Sequence, residues 1–233
     1  MITNTRTRFT KPFVFVHIGK TAGTSIELAL CNYFNIDFEL TEKNPETGEW
    51  WKHSWARSLK KDLGVERWDE SFVFSIVRNP YDMLLSLYSM YTQYPEYTNP
   101  TVHADLYHPW NDFENFEHFV LSMGRGTYTG TNKHKFLGDS AEDLWEHHSC
   151  IQTKFLYWRF DDKKEPLADY VGRYENLEES WETILKEIGM PPIKLPKHGA
   201  TVHEPWEDVY TEEMKEIVYN YNKSDFENFN YSA

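Results

Sequence analysis

One short segment of the sequence carries residues that can bind a phosphate group. Residues 17–25 read HIGKTAGTS and directly follow the apolar run at 13–16. A loop between a strand and a helix turns main-chain N–H groups and the positive helix end toward one anion. The alternative is an ordinary turn with a solvated lysine. We favour the anion site, and its predicted members are Gly19, Lys20, Thr21, Ala22, Gly23, Thr24 and Ser25.

A second segment with this capacity begins at Arg78, directly after the apolar run at 72–77. Asn79 can cap a helix, Pro80 can occupy its first position, and Ser86 follows on that helix. A forked guanidinium and a hydroxyl suit a phosphate monoester. For Ser86 alone, a side chain packed within the helix is the better interpretation. Together the two segments predict a nucleotide with two separated anionic groups.

The loop at 17–25 is not the Walker A loop of nucleoside triphosphatases. That motif places a glycine five residues before its Gly-Lys pair, where this chain has Val14. A magnesium-dependent enzyme also needs a carboxylate after another strand, and this chain has Arg78 there. A nucleotide kinase is therefore a disfavoured alternative, and a nucleotide-binding module without chemistry is a second alternative.

The elements that position these residues follow from apolar spacing. Strands are predicted at 13–16, 72–77 and 169–174, and helices at 25–34, 54–63, from 80, at 177–188 and at 211–221. Capping-box patterns precede two helices, one with Asn111 and Glu114 and the other with Asn176 and Glu179. Strands that alternate with helices predict a parallel sheet, with ligands at the carboxyl ends of its strands.

Four segments resemble the sulfotransferases that use 3′-phosphoadenylyl sulfate (PAPS). Residues 15–25 resemble their 5′-phosphosulfate loop, residues 74–88 resemble their 3′-phosphate motif, and residues 171–177 and 223–229 resemble later segments. The most similar branch includes the carbohydrate O-sulfotransferases. The family often has proline in place of Gly19.

The resemblance runs in order over nearly the whole chain, with gaps at 92–145 and 160–168. At 195–210 this chain is less basic than its relatives, so contacts of Lys197, His198 and Thr201 with the donor are weak assignments.

The resemblance implies a P-loop-like three-layer α/β sandwich, with a central parallel sheet flanked by helices. The length and composition predict one domain over residues 1–233, with the strongly polar residues 1–10 frayed. It implies sulfuryl transfer from PAPS to a hydroxyl of a carbohydrate or other small molecule, leaving 3′,5′-bisphosphate (PAP) and needing no metal. Lys20 would neutralise the leaving oxygen, and Arg78, Ser86 and Arg173 would contact the donor.

The resemblance also points to His53 as the catalytic base, because the family branch often carries a histidine between the two motifs. A surface histidine at the start of a helix is the alternative. His17, at the strand end, is interpreted as a structural or loop-positioning residue. Acceptor contacts are assigned weakly to Trp51, Trp55 and His134, since tryptophan faces stack on sugar rings but serve equally well in core packing.

Composition narrows the partners and the compartment. The net charge of −13 argues against nucleic acid and anionic membranes, because the long-range field repels polyanions. Only two cysteines occur, the first residues lack the apolar stretch of a signal peptide, and no long apolar run follows. We therefore expect a cytoplasmic protein with a small-molecule or saccharide acceptor. The sequence does not indicate its oligomeric state.

Overall fold

The computed structural model describes residues 3–4, 11–38, 53–93, 113–124, 151–157 and 165–233. The chain forms two compact units. The first unit comprises Met1–Arg78 and Gln152–Ala200, and the second comprises Asn79–Ile151 and Thr201–Ala233. The prediction of a single domain over residues 1–233 stays a prediction.

The described elements alternate between strands and helices. The strands are β1 (Thr3–Asn4), β2 (Phe13–Val16), β3 (Phe72–Val77) and β4 (Tyr170–Arg173). The helices are α1 (Gly23–Phe34), α2 (Ala56–Leu63), α3 (Val65–Asp69), α4 (Pro80–Gln93), α5 (Phe116–Gly124), α6 (Thr153–Leu156), α7 (Leu177–Glu187), α8 (Trp206–Val209) and α9 (Glu212–Asn228). A 3₁₀ turn at Tyr174–Asn176 joins β4 to α7.

The strands of the first unit form one sheet in the order β1-β2-β3-β4. Strands β2, β3 and β4 are parallel, with Phe15 opposite Phe74 and Ser75 opposite Val171, and β1 is antiparallel to β2. Every residue of β2 is buried, as expected of a parallel strand covered on both faces. The predicted α/β fold with a central parallel sheet flanked by helices is confirmed.

One hydrophobic cluster of the first unit lies on one face of this sheet. Phe13, Phe15, Phe74 and Ile76 share that face because side chains alternate along a strand, and the ring centroids of Phe15 and Phe74 are 5.1 Å apart. They pack in one cluster with residues of α1 and α7, which include Ile26, Leu30, Trp181 and Ile184. This packing fixes to the strands both α1, which follows the loop after β2, and α7, which follows β4.

Helix α7 confirms the predicted apolar stripe but not its predicted cap. Trp181, Ile184 and Leu185 are buried, and Gly189 ends the helix with a positive φ of 72°. Asn176 occupies the N-cap position, yet its side chain makes no capping hydrogen bond. Asn176 is the last residue of the 3₁₀ turn, and its backbone, at φ −121° and ψ 44°, lacks the extended conformation in which an N-cap side chain reaches back.

Helix α4 of the second unit begins as predicted. Pro80 is its first residue, and Asn79 Oδ1 accepts a hydrogen bond from the Tyr81 N–H at 2.9 Å. The predicted capping box before α5 is wrong, because the helix begins only at Phe116, where Asn115 Oδ1 accepts from the His118 N–H at 2.8 Å. Asn111, the predicted cap, lies outside the described residues.

The core of the second unit joins α4, α5 and α9. Leu84, Phe119, Met214 and Val218 are among its buried members. Helix α9 is longer than the predicted 211–221 and continues past the buried Asn222, whose backbone is not helical. Within the described part of the chain, no helix combines the length and the apolar character that crossing a membrane requires.

Candidate functional site

The loop after β2 lies at the carboxyl edge of the parallel sheet, where the sequence predicted it. Lys20 and Ala22 adopt positive φ values of 62° and 64°, which cost non-glycine residues about 1–2 kcal/mol each. The Thr21 hydroxyl donates a hydrogen bond to the Ile18 carbonyl at 2.8 Å and is fully buried. Thr21 therefore shapes the turn with its side chain.

The first turn of α1 presents main-chain N–H groups beside this loop. The Ile26 N–H donates to the Ala22 carbonyl at 3.1 Å, so the N–H groups of Gly23, Thr24 and Ser25 precede the first intrahelical bond. Helix α1 has no side-chain cap among the described residues. A helix N-terminus of this kind can receive an anion, because its N–H groups and its dipole point the same way.

Arg78 lies directly beside the loop, within the same unit. Its Nη1 donates a hydrogen bond to the Lys20 carbonyl at 3.0 Å, and the side chain is 5% exposed. Burial, and secondarily the Arg78 charge, lower the pKa of Lys20 from 10.5 to about 8. The structure therefore brings two predicted anion-binding cations together, and the Lys20 ammonium is poised near neutral pH.

Two residues that the sequence analysis missed contact Arg78. The amide of Gln152 bonds to both main-chain groups of Arg78, and the guanidinium carbon lies 4.0 Å from the centroid of the Tyr174 ring. Tyr174 lies within the segment at 171–177 that resembles the family. Gln152 carries no such signal, since it lies in no recognised motif and is 74 residues from Arg78.

The loop rests on a buried histidine. The His17 imidazole is 4% exposed, and its Nδ1 lies 3.2 Å from Oε1 of the fully buried Glu27 on α1. A Cβ placed on Gly23 would lie 2.0 Å from Cδ2 of this ring. Gly23 is therefore required by the space that His17 occupies. The position of the ring agrees with the interpretation of His17 as a loop-positioning residue.

His53 reaches the same loop from a distant part of the chain. Its Nδ1 lies 3.2 Å from the His17 carbonyl, and the two imidazole centroids are 4.4 Å apart. A carbonyl only accepts, so this hydrogen bond places the proton on Nδ1 and leaves the lone pair of neutral His53 on Nε2. Cε1 of the ring lies 3.9 Å from the position that a Cβ on Gly19 would take. The arrangement suits a proton acceptor at the edge of the loop.

Ser25 and Trp55 make contacts that the sequence did not indicate. The Ser25 Oγ accepts a hydrogen bond from the His198 N–H at 3.3 Å, which brings the segment around residue 198 to the loop. Trp55 precedes α2, and the Arg57 guanidinium lies 4.1 Å from its ring centroid. The Arg57 guanidinium therefore stacks on one face of the Trp55 indole.

Ser86 and Arg173 each make a hydrogen bond within their own unit. Ser86 belongs to the second unit, where it is 2% exposed and its Oγ lies 2.9 Å from the Thr201 hydroxyl. Arg173 ends β4, and its N–H donates to the Ser180 hydroxyl at 3.1 Å. Trp51 and His134 lie outside the described residues.

Comparison with known families identifies the family of the chain. The sequence model of the sulfotransferase family matches residues 4–232, which is nearly the whole chain. No curated protein sequence matches the chain at a significant level. The chain therefore belongs to the sulfotransferase family, and the resemblance recognised from the two motifs is confirmed. Its assignment to the carbohydrate branch stays a prediction.

The two loop glycines provide a matched test of this packing. Gly23→Ala should lower the free energy of unfolding by about 1–3 kcal/mol or more, since the new methyl group overlaps His17. Gly19→Ala should change it by less than about 0.5 kcal/mol, because its methyl group meets only an ordinary contact with His53. Urea unfolding followed by circular dichroism measures both. Equal destabilisation by the two variants would contradict the role of His17 under the loop.

Proposed function

We propose that this sulfotransferase moves a sulfuryl group from PAPS to a hydroxyl of a carbohydrate or another small molecule. The convergence of Lys20 and Arg78 beside the first turn of α1 carries the proposal. PAPS has two anionic groups, a 5′-phosphosulfate and a 3′-phosphate. Two adjacent cations and a helix N-terminus match that charge distribution.

The loop is suited to the phosphosulfate. In the proposed complex the N–H groups of residues 23–25 and the Lys20 ammonium contact it, and Arg78 receives the 3′-phosphate. The assignments of Ser86 and Arg173 to the donor rest on the resemblance and stay predictions. The Thr21 hydroxyl already donates to Ile18, so Thr21 would contribute its main chain rather than its side chain.

The proposed transfer needs one proton acceptor and one group that neutralises the leaving oxygen. The acceptor oxygen attacks the sulfur in line, and the bond from sulfur to the bridging phosphate oxygen breaks. The acceptor proton passes to Nε2 of His53, and the Lys20 ammonium stabilises the electron pair left on the bridging oxygen. The products are a sulfate ester and PAP. The Nδ1 hydrogen bond of His53 supports this role because it fixes the tautomer.

The charge of the chain bears on the acceptor. With a net charge of −13, the protein would repel a polyanionic acceptor, so a neutral or lightly charged one is proposed. We also retain a cytoplasmic location and a single-domain organisation as proposals. A nucleotide kinase is disfavoured by the absence of a Walker A pattern and of a carboxylate after β3, where the chain has Arg78.

The direct test is a transfer assay. The protein is incubated with PAPS and pooled neutral sugars, phenols and alcohols, and products are identified by mass spectrometry. We expect one acceptor class to gain the mass of a single sulfuryl group, with PAP formed in equal amount. Binding of PAP without any product would support the binding module instead, and turnover of ATP with magnesium would support a kinase.

The control separates chemistry from donor binding. His53→Asn should reduce kcat by about 10²–10⁴-fold, the usual contribution of a general base. Its affinity for PAP, measured by calorimetry, should stay within about threefold of wild type, because His53 is assigned to the acceptor proton. Unchanged turnover in this variant would remove His53 from the mechanism.

The pKa of Lys20 predicts how donor binding depends on pH. Below about pH 8 the ammonium is charged and affinity for PAP should be constant. Above that pH the free protein loses this proton, so binding must restore it and affinity should fall by up to about tenfold per pH unit. Calorimetry from about pH 6.5 to about pH 9.5, a range that brackets the transition, measures the profile.

Two variants make the assignment specific to Lys20. Lys20→Arg should bind PAP with a flat profile over this range, since a guanidinium keeps its proton. Lys20→Met should bind more weakly and also without the fall. If Lys20→Met shows the same fall as wild type, another group titrates and Lys20 is not the charge that the donor needs.

A further inference from the structure

We propose that Gln152 and Tyr174 are positioning residues that preset Arg78 for the 3′-phosphate of the donor. The inference rests on the proposed function, because it assumes that Arg78 binds that phosphate. Neither a phenol nor a carboxamide side chain supplies a positive charge. Their effect on an anion must therefore act through the place and orientation of the guanidinium.

Gln152 fixes the main chain of Arg78. The ladder between β3 and β4 ends at the pair Val77 and Arg173, so Arg78 stands just beyond the paired strand residues. The Arg78 N–H donates to Oε1 of Gln152 at 2.8 Å, and Nε2 of Gln152 donates to the Arg78 carbonyl at 2.7 Å. One side-chain amide thus extends the hydrogen bonding of the strand by one residue.

Because Gln152 and Arg78 are both buried, the loss of either hydrogen bond between them would be costly. Gln152 is 0% exposed and Arg78 is 5% exposed, so water cannot readily replace either hydrogen bond. A buried main-chain group that loses its partner carries the full penalty of desolvation. Arg78 would therefore shift if the amide were removed, and its guanidinium would shift with it.

Tyr174 supports the other end of the same side chain. The guanidinium carbon lies 4.0 Å from the centroid of its ring, a stacking distance, while Nη1 donates to the Lys20 carbonyl. An arginine side chain loses rotamer entropy when it is ordered. The ring and the carbonyl order the Arg78 side chain before a ligand binds, so the guanidinium meets the phosphate in a fixed plane.

The experiment measures the ratio of the affinity for PAP to the affinity for 5′-AMP, which reports the contribution of the 3′-phosphate to binding. Affinities for PAP and for 5′-AMP are measured by calorimetry on the full chain, and the two ligands differ only in that phosphate. Wild type should prefer PAP, and Arg78→Ala should abolish the preference. Gln152→Ala should reduce the preference by roughly 5- to 30-fold with 5′-AMP affinity retained, the factor that one or two lost kilocalories per mole produce. In the Arg78→Ala background, Gln152→Ala should have no further effect on the ratio.

Matched variants separate positioning from general destabilisation. Ser75→Ala removes a buried hydrogen bond to the Val16 carbonyl in the same sheet, and should lower stability without changing the ratio. Tyr174→Phe keeps the ring and should keep the ratio, whereas Tyr174→Leu should reduce it. If Gln152→Ala does not fold, the two Tyr174 variants decide the matter.

Different outcomes would overturn the proposed donor and the positioning role of Gln152 and Tyr174. If wild type does not prefer PAP to 5′-AMP, the proposed donor is wrong. If wild type prefers PAP and Arg78→Ala abolishes the preference, but Gln152→Ala and Tyr174→Leu retain it, the positioning role is wrong. Equal losses of PAP and 5′-AMP affinity in Gln152→Ala would also overturn it, because the amide would then act on the loop.

Discussion

Two like charges lie close together at the carboxyl edge of the sheet, and the architecture of the first unit serves to keep them there. Burial penalises the Lys20 charge and repulsion by Arg78 adds to that penalty, which is why the pKa of Lys20 is only about 8. An anion that binds between Lys20 and Arg78 offsets both the repulsion and the cost of burying the charge. The local charge is thus opposite to the net charge of −13, and selects a small anion that approaches closely over a large polyanion.

Several contacts hold Lys20, Arg78 and the loop after β2 in place. Register in the parallel sheet brings the ends of β2 and β3 to one edge. His17 fills the space beneath Gly23, and its carbonyl orients His53. Arg78 is held at its main chain by Gln152. Hydrogen bonds and packing of this kind set the cations and the candidate base in place before any ligand binds, so that little reorganisation is needed during reaction.

Local patterns predicted the elements, and distant contacts account for what sequence reasoning missed. Strand β3 and the start of α4 follow from an apolar run, Asn79 and Pro80, all of which act over a few residues. Gln152 and His198 act across 74 and 173 residues, and no local spacing encodes such contacts. The failed capping box at Asn176 has a related cause, because the 3₁₀ turn after β4 sets its backbone.

We propose that one nucleotide places its 5′-phosphate on the loop after β2 and its 3′-phosphate on Arg78. A crystal structure of the protein with PAP would locate both phosphates. We expect 5′-phosphate oxygens within hydrogen-bond distance of Lys20 Nζ and the N–H groups of residues 23–25, and a 3′-phosphate on the Arg78 guanidinium. PAP bound away from this loop, or with its 3′-phosphate on the loop and its 5′-phosphate on Arg78, would contradict it.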